Sequence, residues 1–511
     1  MPTVATSEPP AQPFIAPSRT HSMTHYRQLF KSTGLLGSVQ VLSVLTGVVR
    51  NKVAALFIGT AGIGLVDLFS RTIDLVCNAT NFGLSLSAVR RLSEVYNAES
   101  EAQPGVSPAS LPQTVSQARL IRTWVLLTAL LGTLICLSFA PLISRTVAGS
   151  SAYTASFMQL SLAVGFATLT GGEIALLRAL RRLKSLAQAS ALGALGALVV
   201  SVPCYVLFGL RGIVPVLLVT SALLFALNLR ASVRLLPYRL GSFRPGYLRL
   251  GLPLIKLGTA YILAGVMTSG AEMLIRAALM DSPRGVAEIG LYAAGYTLTV
   301  SYARIIFSAM DADFFPRLSV VVNNRRAMNL AINRQINVLA VLMSPFLVLF
   351  GLALPLITRI LYTADFLPIL PMVLCAAPCM FFKAIYTPIA YIPLARGDSF
   401  TYMVLELAYD VLFCALVILG YSRYGLVGAG LGLSLAHLLD FFLIYVVFSR
   451  RYGYRMNRAT LQRALLLLGL LLSGLGVSAL PTLWLKVPLG LLVLGLLVPV
   501  VWPVLRQIRK R

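Results

Sequence analysis

The sequence predicts an all-α polytopic membrane protein with about fourteen transmembrane helices. Hydrophobic residues make up 58% of the 511 residues and charged residues only 12%, whereas a typical soluble chain carries about 25% charged residues. Apolar stretches of about 18 residues or more recur along the chain, and each can cross a hydrocarbon core of about 30 Å as a helix. These stretches are continuous rather than alternating, which favours helices over the strands of a barrel.

The expected helices follow one another with short connections. The longest connection, residues 86–121, contains Pro104, Pro108 and Pro112 and is expected to be a loose cytoplasmic loop. Residues 1–25 are rich in Pro, Ser and Thr and are expected to form a disordered cytoplasmic tail. The predicted spans are 34–57, 62–85, 122–143, 153–177, 187–208, 213–233, 253–277, 290–314, 337–361, 369–394, 400–421, 426–449, 464–485 and 487–505.

The basic residues predict the orientation of these helices. The formal net charge is +26, which in a soluble protein would point to a nucleic-acid partner. Thirty of the 43 Lys and Arg residues fall on the side of both termini, which places both termini in the cytoplasm. The excess charge then meets anionic headgroups, and no nucleic-acid partner is expected. Six basic residues fall on the opposite side: Arg145, Arg211, Arg284, Arg359, Arg423 and Lys486.

Three short motifs recur in the same order in the two halves of the chain. Each first copy and its second copy are separated by six predicted spans, so the two copies have the same orientation in the membrane. Such a parallel repeat relates two similar lobes around an axis along the membrane normal. The pairs are Gly59–Leu65 with Gly285–Leu291, Pro141–Arg145 with Pro355–Arg359, and Gly209–Gly212 with Gly425–Gly428.

The repeat predicts the domain organisation. Residues 26–236 are expected to form an N-terminal lobe of six spans, and residues 237–450 a pseudo-symmetric C-terminal lobe of six spans. Residues 451–511 contain two extra spans and a basic cytoplasmic tail. Two lobes around a central cavity suit transport by alternating access, in which one lobe rocks against the other.

Basic residues inside the predicted spans are the first candidates for function. A charge at the bilayer centre costs about 2.5–3.5 kcal/mol on insertion scales, so such residues face the bundle interior. A surplus of cations predicts a cavity that binds a permanent anion, and phosphate or pyrophosphate fits the forked arginine side chain. For any single residue a structural ion pair is the alternative. The seven cations are Arg50, Lys52, Arg71, Lys256, Arg276, Arg304 and Lys383.

The second span carries the longest polar stripe. Asp67, Arg71, Asp74 and Asn78 recur at helical spacing over three turns and share one face. In the seventh span, Glu272 and Arg276 lie four residues apart, and such a pair can neutralise itself. The predicted substrate-binding cavity is therefore lined by Arg50, Asp67, Arg71, Asp74, Asn78, Arg276, Arg304 and Lys383.

A second cluster of titratable residues lies in the eleventh and twelfth spans. Glu406 and Asp410 share one helix face, and His437 and Asp440 share another. Carboxylates buried together can carry protons or bind a cation, so the four residues are candidates for ion coupling. Hydrogen bonding between helices is the alternative.

The sequence contains no pattern that requires a metal or a cofactor. The six cysteines lie in apolar spans and show no zinc-ligand spacing. The glycine-rich stretches lack the Lys-Ser/Thr of a phosphate-binding loop and favour close helix packing. The connections are too short to bury a catalytic core, so the sequence favours a transporter over an enzyme.

The first two spans resemble a known family. Lys31-Ser32-Thr33 leads into Gln40-Val41, then into Gly47–Ala54 (GVVRNKVA) and Gly59–Leu65 (GTAGIGL). This run is similar to the O-antigen translocases, or polysaccharide flippases, of the multidrug/oligosaccharidyl-lipid/polysaccharide (MOP) exporter superfamily. The rest of the chain resembles that family in its number of spans, its two lobes and its loop sizes.

The resemblance implies a substrate and a site. It implies that an undecaprenyl-pyrophosphate-linked oligosaccharide moves from the cytoplasmic to the periplasmic leaflet of a bacterial inner membrane, during lipopolysaccharide or exopolysaccharide assembly. Membrane lipids, and possible contacts with other polysaccharide assembly proteins, follow as partners. Through Gly47, Arg50 and Ala54, it also implies that Arg50 faces a cationic cavity. An ion-coupled multidrug/cation antiporter of the same superfamily is the alternative, and a glycan polymerase or ligase is a third class.

Overall fold

The fold is a bundle of long helices that runs through the whole described chain. The computed structural model describes residues 42–301 and 304–509, so the predicted tail 1–25 lies outside the described residues. The helices are α1 (42–57), α2 (Gly59–Thr80), α3 (Leu84–Ala102), α4 (Pro112–Val147), α5 (Thr154–Ala179), α6 (Leu183–Phe208), α7 (Ile213–Val233), α8 (Pro245–Arg249), α9 (Leu252–Met280), α10 (Val286–Tyr296), α11 (Arg304–Val321), α12 (Arg325–Leu361), α13 (Leu370–Ala376), α14 (Pro378–Arg396), α15 (Ser399–Tyr452), α16 (Arg458–Ser478) and α17 (Leu483–Arg509).

Eight stretches of the described chain are long and apolar enough to cross a membrane. Two of them, Leu183–Val233 and Ser399–Tyr452, are helical hairpins and account for two crossings each. Helices α1, α2, α9 and the α10–α11 pair bring the total to the predicted number of about fourteen. The prediction of an all-α polytopic membrane protein is therefore confirmed.

The two hairpins reverse direction at glycines that the repeat relates to each other. Gly209 has a φ of 54° and Gly425 has a φ of 59°, in a region of backbone conformation that favours glycine. On either side of Gly425 the two arms of α15 are in close contact. A Cβ added to Gly420 would lie only 2.2 Å from the carbonyl oxygen of Gly428. A side chain at Gly425 would strain the backbone, and one at Gly420 would push the arms apart.

The segment 86–121 differs from the loose loop that its prolines suggested. Residues Leu84–Ala102 form helix α3, which packs on α4 and α5. Its apolar side buries Leu84, Ala88 and Leu92 against the residues of the neighbouring helices. The carboxylate of Glu99 accepts hydrogen bonds from the backbone N–H groups of Gln113 and Thr114, which caps the start of α4. The three prolines lie after this helix, where they do not interrupt it.

The two halves of the chain meet where the first repeated motif crosses its own copy. A Cβ on Gly64 of α2 would lie 2.0 Å from the carbonyl oxygen of Val286, and a Cβ on Gly290 of α10 would lie 1.9 Å from the carbonyl oxygen of Thr60. Gly64 and Gly290 occupy the same position in the two copies, so the contact is nearly symmetric. The glycines allow the two backbones to touch, as small residues do in packed membrane helices.

A lysine adds a second contact between the halves near this crossing. Lys52 of α1 donates hydrogen bonds to the carbonyl oxygens of Arg359 and Tyr362 at the end of α12. The last carbonyls of a helix have no partner within the helix and carry partial negative charge, which an ammonium group neutralises. The two extra helices, α16 and α17, pack on α12 from the other side.

We expect Gly64→Ala to destabilise the protein by about 1–3 kcal/mol, because the added methyl group overlaps a backbone oxygen that cannot move without moving α10. The measurement is thermal unfolding of the purified protein in detergent. Gly469→Ala is the matched control, since a Cβ at Gly469 of α16 meets no atom within 4 Å. Equal stability of the two variants would contradict the close crossing.

Candidate functional site

The polar stripe of α2 faces α9, and the two helices are joined by a ladder of side-chain contacts that we call the polar seam. Arg276 Nε donates to Asp67 Oδ2 at 2.7 Å. One turn along α2, Arg71 Nη1 lies 2.8 Å from Glu272 Oε2. Asn78 Nδ2 then donates to Ser269 Oγ at 2.7 Å. Because α2 is predicted to belong to the first lobe and α9 to the second, the polar seam holds the two halves of the chain together.

The pairing in the seam differs from the pairing that the sequence suggested. Glu272 and Arg276 do not form an ion pair with each other. The Arg276 guanidinium contacts Glu272 at its backbone carbonyl and not at its carboxylate. Each instead pairs across the interface, Arg276 with Asp67 and Glu272 with Arg71. Residue spacing along α9 could not predict this pairing, because the partners lie on α2, about 200 residues earlier in the sequence.

The seam carries no surplus of positive charge. Arg71 also approaches Asp67 and Asp74 at 3.5 and 3.6 Å, so two arginines share three carboxylates. Arg276 is 1% exposed and lies 5.7 Å from the ring centroid of Tyr292. In this conformation the two arginines bind protein carboxylates, and the exposed members of the stripe are Asp74, whose side chain is 56% exposed, and Asn78.

Arg50 lies in a different environment from the seam. It is exposed and lines a groove of about 280 Å³ between α1, α6 and α7. No carboxylate pairs with Arg50 among the side chains that the structure describes. Among the described residues that line the groove, Arg50 carries the only charge. Most of the others are small: Ser43, Thr46, Gly47, Ser190, Gly193 and Ala197.

The second half of the chain contains a larger cavity, which we call the C-terminal pocket. It has a volume of about 470 Å³ and lies between α14, the two arms of α15 and Phe307 of α11. Tyr386 of α14 and Asp440 of α15 both line it, and Asp440 is 4% exposed. The polar lining residues are Lys383, Tyr386, Thr387, Tyr391, Tyr402, Glu406, Tyr409 and Asp440.

The four residues suggested for ion coupling do not form one site. Glu406 and Asp440 line the C-terminal pocket. Asp410 is turned toward α9, where Thr268 Oγ1 donates to Asp410 Oδ2 at 2.8 Å. His437 is 2% exposed, and its Nδ1 lies 3.0 Å from the carbonyl oxygen of Leu433. A neutral ring that donates from Nδ1 accepts the Tyr409 hydroxyl at Nε2, 3.3 Å away, so both nitrogens are satisfied.

Two further candidates lie outside the described side chains. Arg304 begins α11, but its side chain is outside the described part of the chain, as is that of Lys256. The predicted place of Arg304 in a substrate cavity therefore stays a prediction.

Sequence analysis missed one buried ion pair. Arg122 of α4 and Glu173 of α5 are each 3% exposed, with Arg122 Nε 3.0 Å from Glu173 Oε1. Arg122 Nη1 also donates to the carbonyl oxygen of Pro237 at 2.9 Å, which fixes the chain as it leaves the first half. The signal in the sequence was an arginine at the start of the third predicted span and a glutamate near the end of the fourth, and the count of basic residues assigned Arg122 to the cytoplasmic side.

A comparison with family models identifies the family of this chain. Residues 102–371, more than half of the chain, match the model of a family described as polysaccharide biosynthesis protein. No curated protein matches the sequence. The recognition of a MOP superfamily relative from the first two spans is thus supported by a match that covers a different stretch of the chain.

Several solved structures share the fold at low sequence identity. The lipid II flippase MurJ in an inward closed conformation is 15% identical, with 92% of this chain and 99% of that chain covered and a TM-score of 0.67. An inward-facing multidrug resistance MATE family transporter of the MOP superfamily is 13% identical, with 83% and 96% covered and a TM-score of 0.62. A MOP superfamily transporter from Pyrococcus furiosus, described as having a binding pocket of reverse polarity, is 12% identical, with 83% and 96% covered and a TM-score of 0.57.

We expect Arg276→Ala to lower the free energy of unfolding by about 3–5 kcal/mol, because it leaves Asp67 charged and without its closest cation. Thermal unfolding of the purified protein measures the loss. Arg90→Ala, which removes an exposed pair with Glu94, should change stability by less than about 1 kcal/mol. A double-mutant cycle of Asp67→Ala with Arg276→Ala should give strong coupling, and additive effects would show that the two residues do not interact.

Proposed function

This chain belongs to the polysaccharide biosynthesis protein family, and from that membership we propose that it is a flippase, which moves a lipid-linked oligosaccharide across the membrane. The substrate class that we propose is an undecaprenyl-pyrophosphate-linked oligosaccharide, either an O-antigen or an exopolysaccharide unit. The fold supports this proposal, because it is shared with a protein described as a lipid II flippase. A transporter needs no catalytic residue for this movement.

Arg50 is the observation that carries the proposal. It is a permanent cation in an apolar helix, and none of the described carboxylate side chains pairs with it. Such a charge is costly in hydrocarbon unless water or an anion accompanies it. A pyrophosphate group offers planar, bidentate contacts to a guanidinium. The narrow groove beside Arg50 opens between three apolar helices, where a headgroup can remain attached to a lipid tail in the bilayer.

The polar seam suggests how the transporter is closed to one side of the membrane. We propose lobes at residues 26–236 and 237–450, with residues 451–511 as an accessory pair of helices and tail. The glycine crossing, the Lys52 contact and the seam hold the lobes together at one side of the bundle. Transport by alternating access requires these contacts to break when the other side closes. Arg71 and Arg276, freed from their carboxylates, would then face the cavity.

We also propose the orientation of the protein. Both termini lie in the cytoplasm of a bacterial cell, in its inner membrane, because basic residues concentrate on that side of the bundle. The crossing of Gly64 and Gly290 then lies at the periplasmic side, and the substrate enters from the cytoplasmic leaflet.

A multidrug/cation antiporter is the second candidate function. Glu406 and Asp440 in the C-terminal pocket favour it, since two carboxylates attract cations. The fold does not separate the two candidates, because MATE transporters share it. The unpaired Arg50 groove favours an anionic substrate and therefore the flippase.

We expect Arg50→Ala to reduce the display of surface glycan by at least about tenfold, because it removes a charge-assisted contact to the pyrophosphate. Arg50→Lys should retain part of the activity, since it keeps the charge but not the bidentate geometry. The measurement is complementation of a host that lacks the gene, with surface glycan quantified by immunoblot or lectin binding.

Arg145→Ala is the matched control for Arg50→Ala, because Arg145 is exposed at the end of α4. Membrane insertion of each variant is checked by the amount of protein in the membrane fraction. Normal glycan display by an inserted Arg50→Ala variant would reject the assignment of Arg50. Stabilisation of the purified protein by organic cations, with no response to pyrophosphate lipids, would favour the antiporter.

A further inference from the structure

The C-terminal pocket has the dimensions of a binding site for a small organic molecule. Its volume of about 470 Å³ lies within the range of about 300–1,000 Å³ that such sites occupy. A single coupling ion would fill only a small part of it. The described residues that line the pocket belong to α11, α14 and α15, and none of them belongs to α2 or α9, the helices of the seam.

The lining combines aromatic rings with hydrogen-bonding groups. Tyr386, Tyr391, Tyr402 and Tyr409 each present an apolar face and a polar hydroxyl. Between them stand the carboxylates of Glu406 and Asp440 and the hydroxyl of Thr387. A pyranose ring has complementary chemistry, because its C–H groups pack on aromatic faces while its hydroxyls donate to carboxylates.

The charges of the described lining residues disfavour a pyrophosphate, which would meet the two carboxylates of Glu406 and Asp440 and the one ammonium of Lys383. The same carboxylates attract an organic cation, but the pocket already contains the cation of Lys383, whose Nζ lies 5.7 Å from the ring centroid of Phe307. A neutral polar molecule is repelled by neither charge.

One of the tyrosines is held in place before any ligand binds. The Tyr409 hydroxyl lies 3.3 Å from Nε2 of His437, within hydrogen-bond distance. The Tyr409 ring also stacks on Phe413, with centroids 5.9 Å apart. Side chains fixed in this way lose little conformational entropy when a ligand binds.

From these observations we propose that the C-terminal pocket is a carbohydrate subsite, which holds a sugar of the transported oligosaccharide while the pyrophosphate binds elsewhere. This inference rests on the proposed flippase function. It assigns Glu406 and Asp440 to the recognition of sugar hydroxyls, in place of the ion coupling that the sequence suggested.

The test compares two lipids on the purified protein in detergent. One probe is the lipid-linked oligosaccharide extracted from the membranes of the native host, and the other is undecaprenyl pyrophosphate without a glycan. Microscale thermophoresis gives the dissociation constant of each. The variants are Glu406→Gln and Asp440→Asn, which keep the shape of the side chain, and Glu94→Gln is the same change at an exposed position outside the pocket.

We expect the wild-type protein and Glu94→Gln to bind the glycan-bearing lipid more tightly than undecaprenyl pyrophosphate. Each pocket variant should weaken binding of the glycan-bearing lipid by about tenfold or more and leave binding of undecaprenyl pyrophosphate unchanged. Thermal unfolding confirms that each variant is folded, and if one variant fails to fold, the other still provides the comparison.

The possible failures are distinct. If the wild-type protein binds neither lipid, the proposed flippase function is overturned. If the wild-type protein prefers the glycan-bearing lipid and both pocket variants keep that preference, only the carbohydrate subsite is overturned. A loss of affinity for both lipids to the same extent would also reject the subsite.

Discussion

The ion pair between Asp67 and Arg276 is the contact on which the arrangement of the two halves depends. Both side chains lie in apolar helices, where an isolated charge would be expensive, and the guanidinium is almost completely buried. The pair is possible only because Gly64 and Gly290 let α2 and α10 touch one turn away, which brings α9 within reach of α2. Packing and electrostatics at this interface therefore support each other.

The polar groups of the seam differ from those of the two cavities. At the seam, arginines and carboxylates satisfy each other, and their charges are hidden while the halves remain in contact. In the groove at Arg50 and in the C-terminal pocket, polar groups face open volume instead. The first arrangement suits a contact that forms and breaks during a cycle. The second suits ligands, with an anion favoured at Arg50 and a neutral polar group favoured in the pocket.

The internal repeat connects the sequence to the mechanism. The copies that begin at Gly59 and Gly285 share their first glycine and the glycine five residues later, and Gly59 and Gly285 each have a positive φ, 64° and 51°. The same local structure thus occurs twice, and the two copies meet face to face at Gly64 and Gly290. A nearly symmetric contact of this kind places the two halves in equivalent roles, as rocking of one half against the other requires.

The sequence by itself determined the class of fold, the number of crossing helices and the position of the repeat. These follow from local properties: the length of an apolar run, its continuity and the conformational demands of particular glycines. It also identified most of the polar residues that matter, because a charge within an apolar run stands out wherever it occurs. The stripe from Asp67 to Asn78 was correctly placed on one face of one helix.

Only the tertiary structure decided which of these residues are partners. Glu272 and Arg276 are neighbours on one helix but pair with residues of another, and Asp410 bonds to Thr268 of α9 although Glu406, one turn away on α15, lines the C-terminal pocket. The helix of residues Leu84–Ala102 and the buried pair of Arg122 with Glu173 also depend on packing between distant segments. The physical reason is the same in each case. Helical spacing fixes the direction of a side chain around its own axis, whereas its partner is set by how the helices pack against one another.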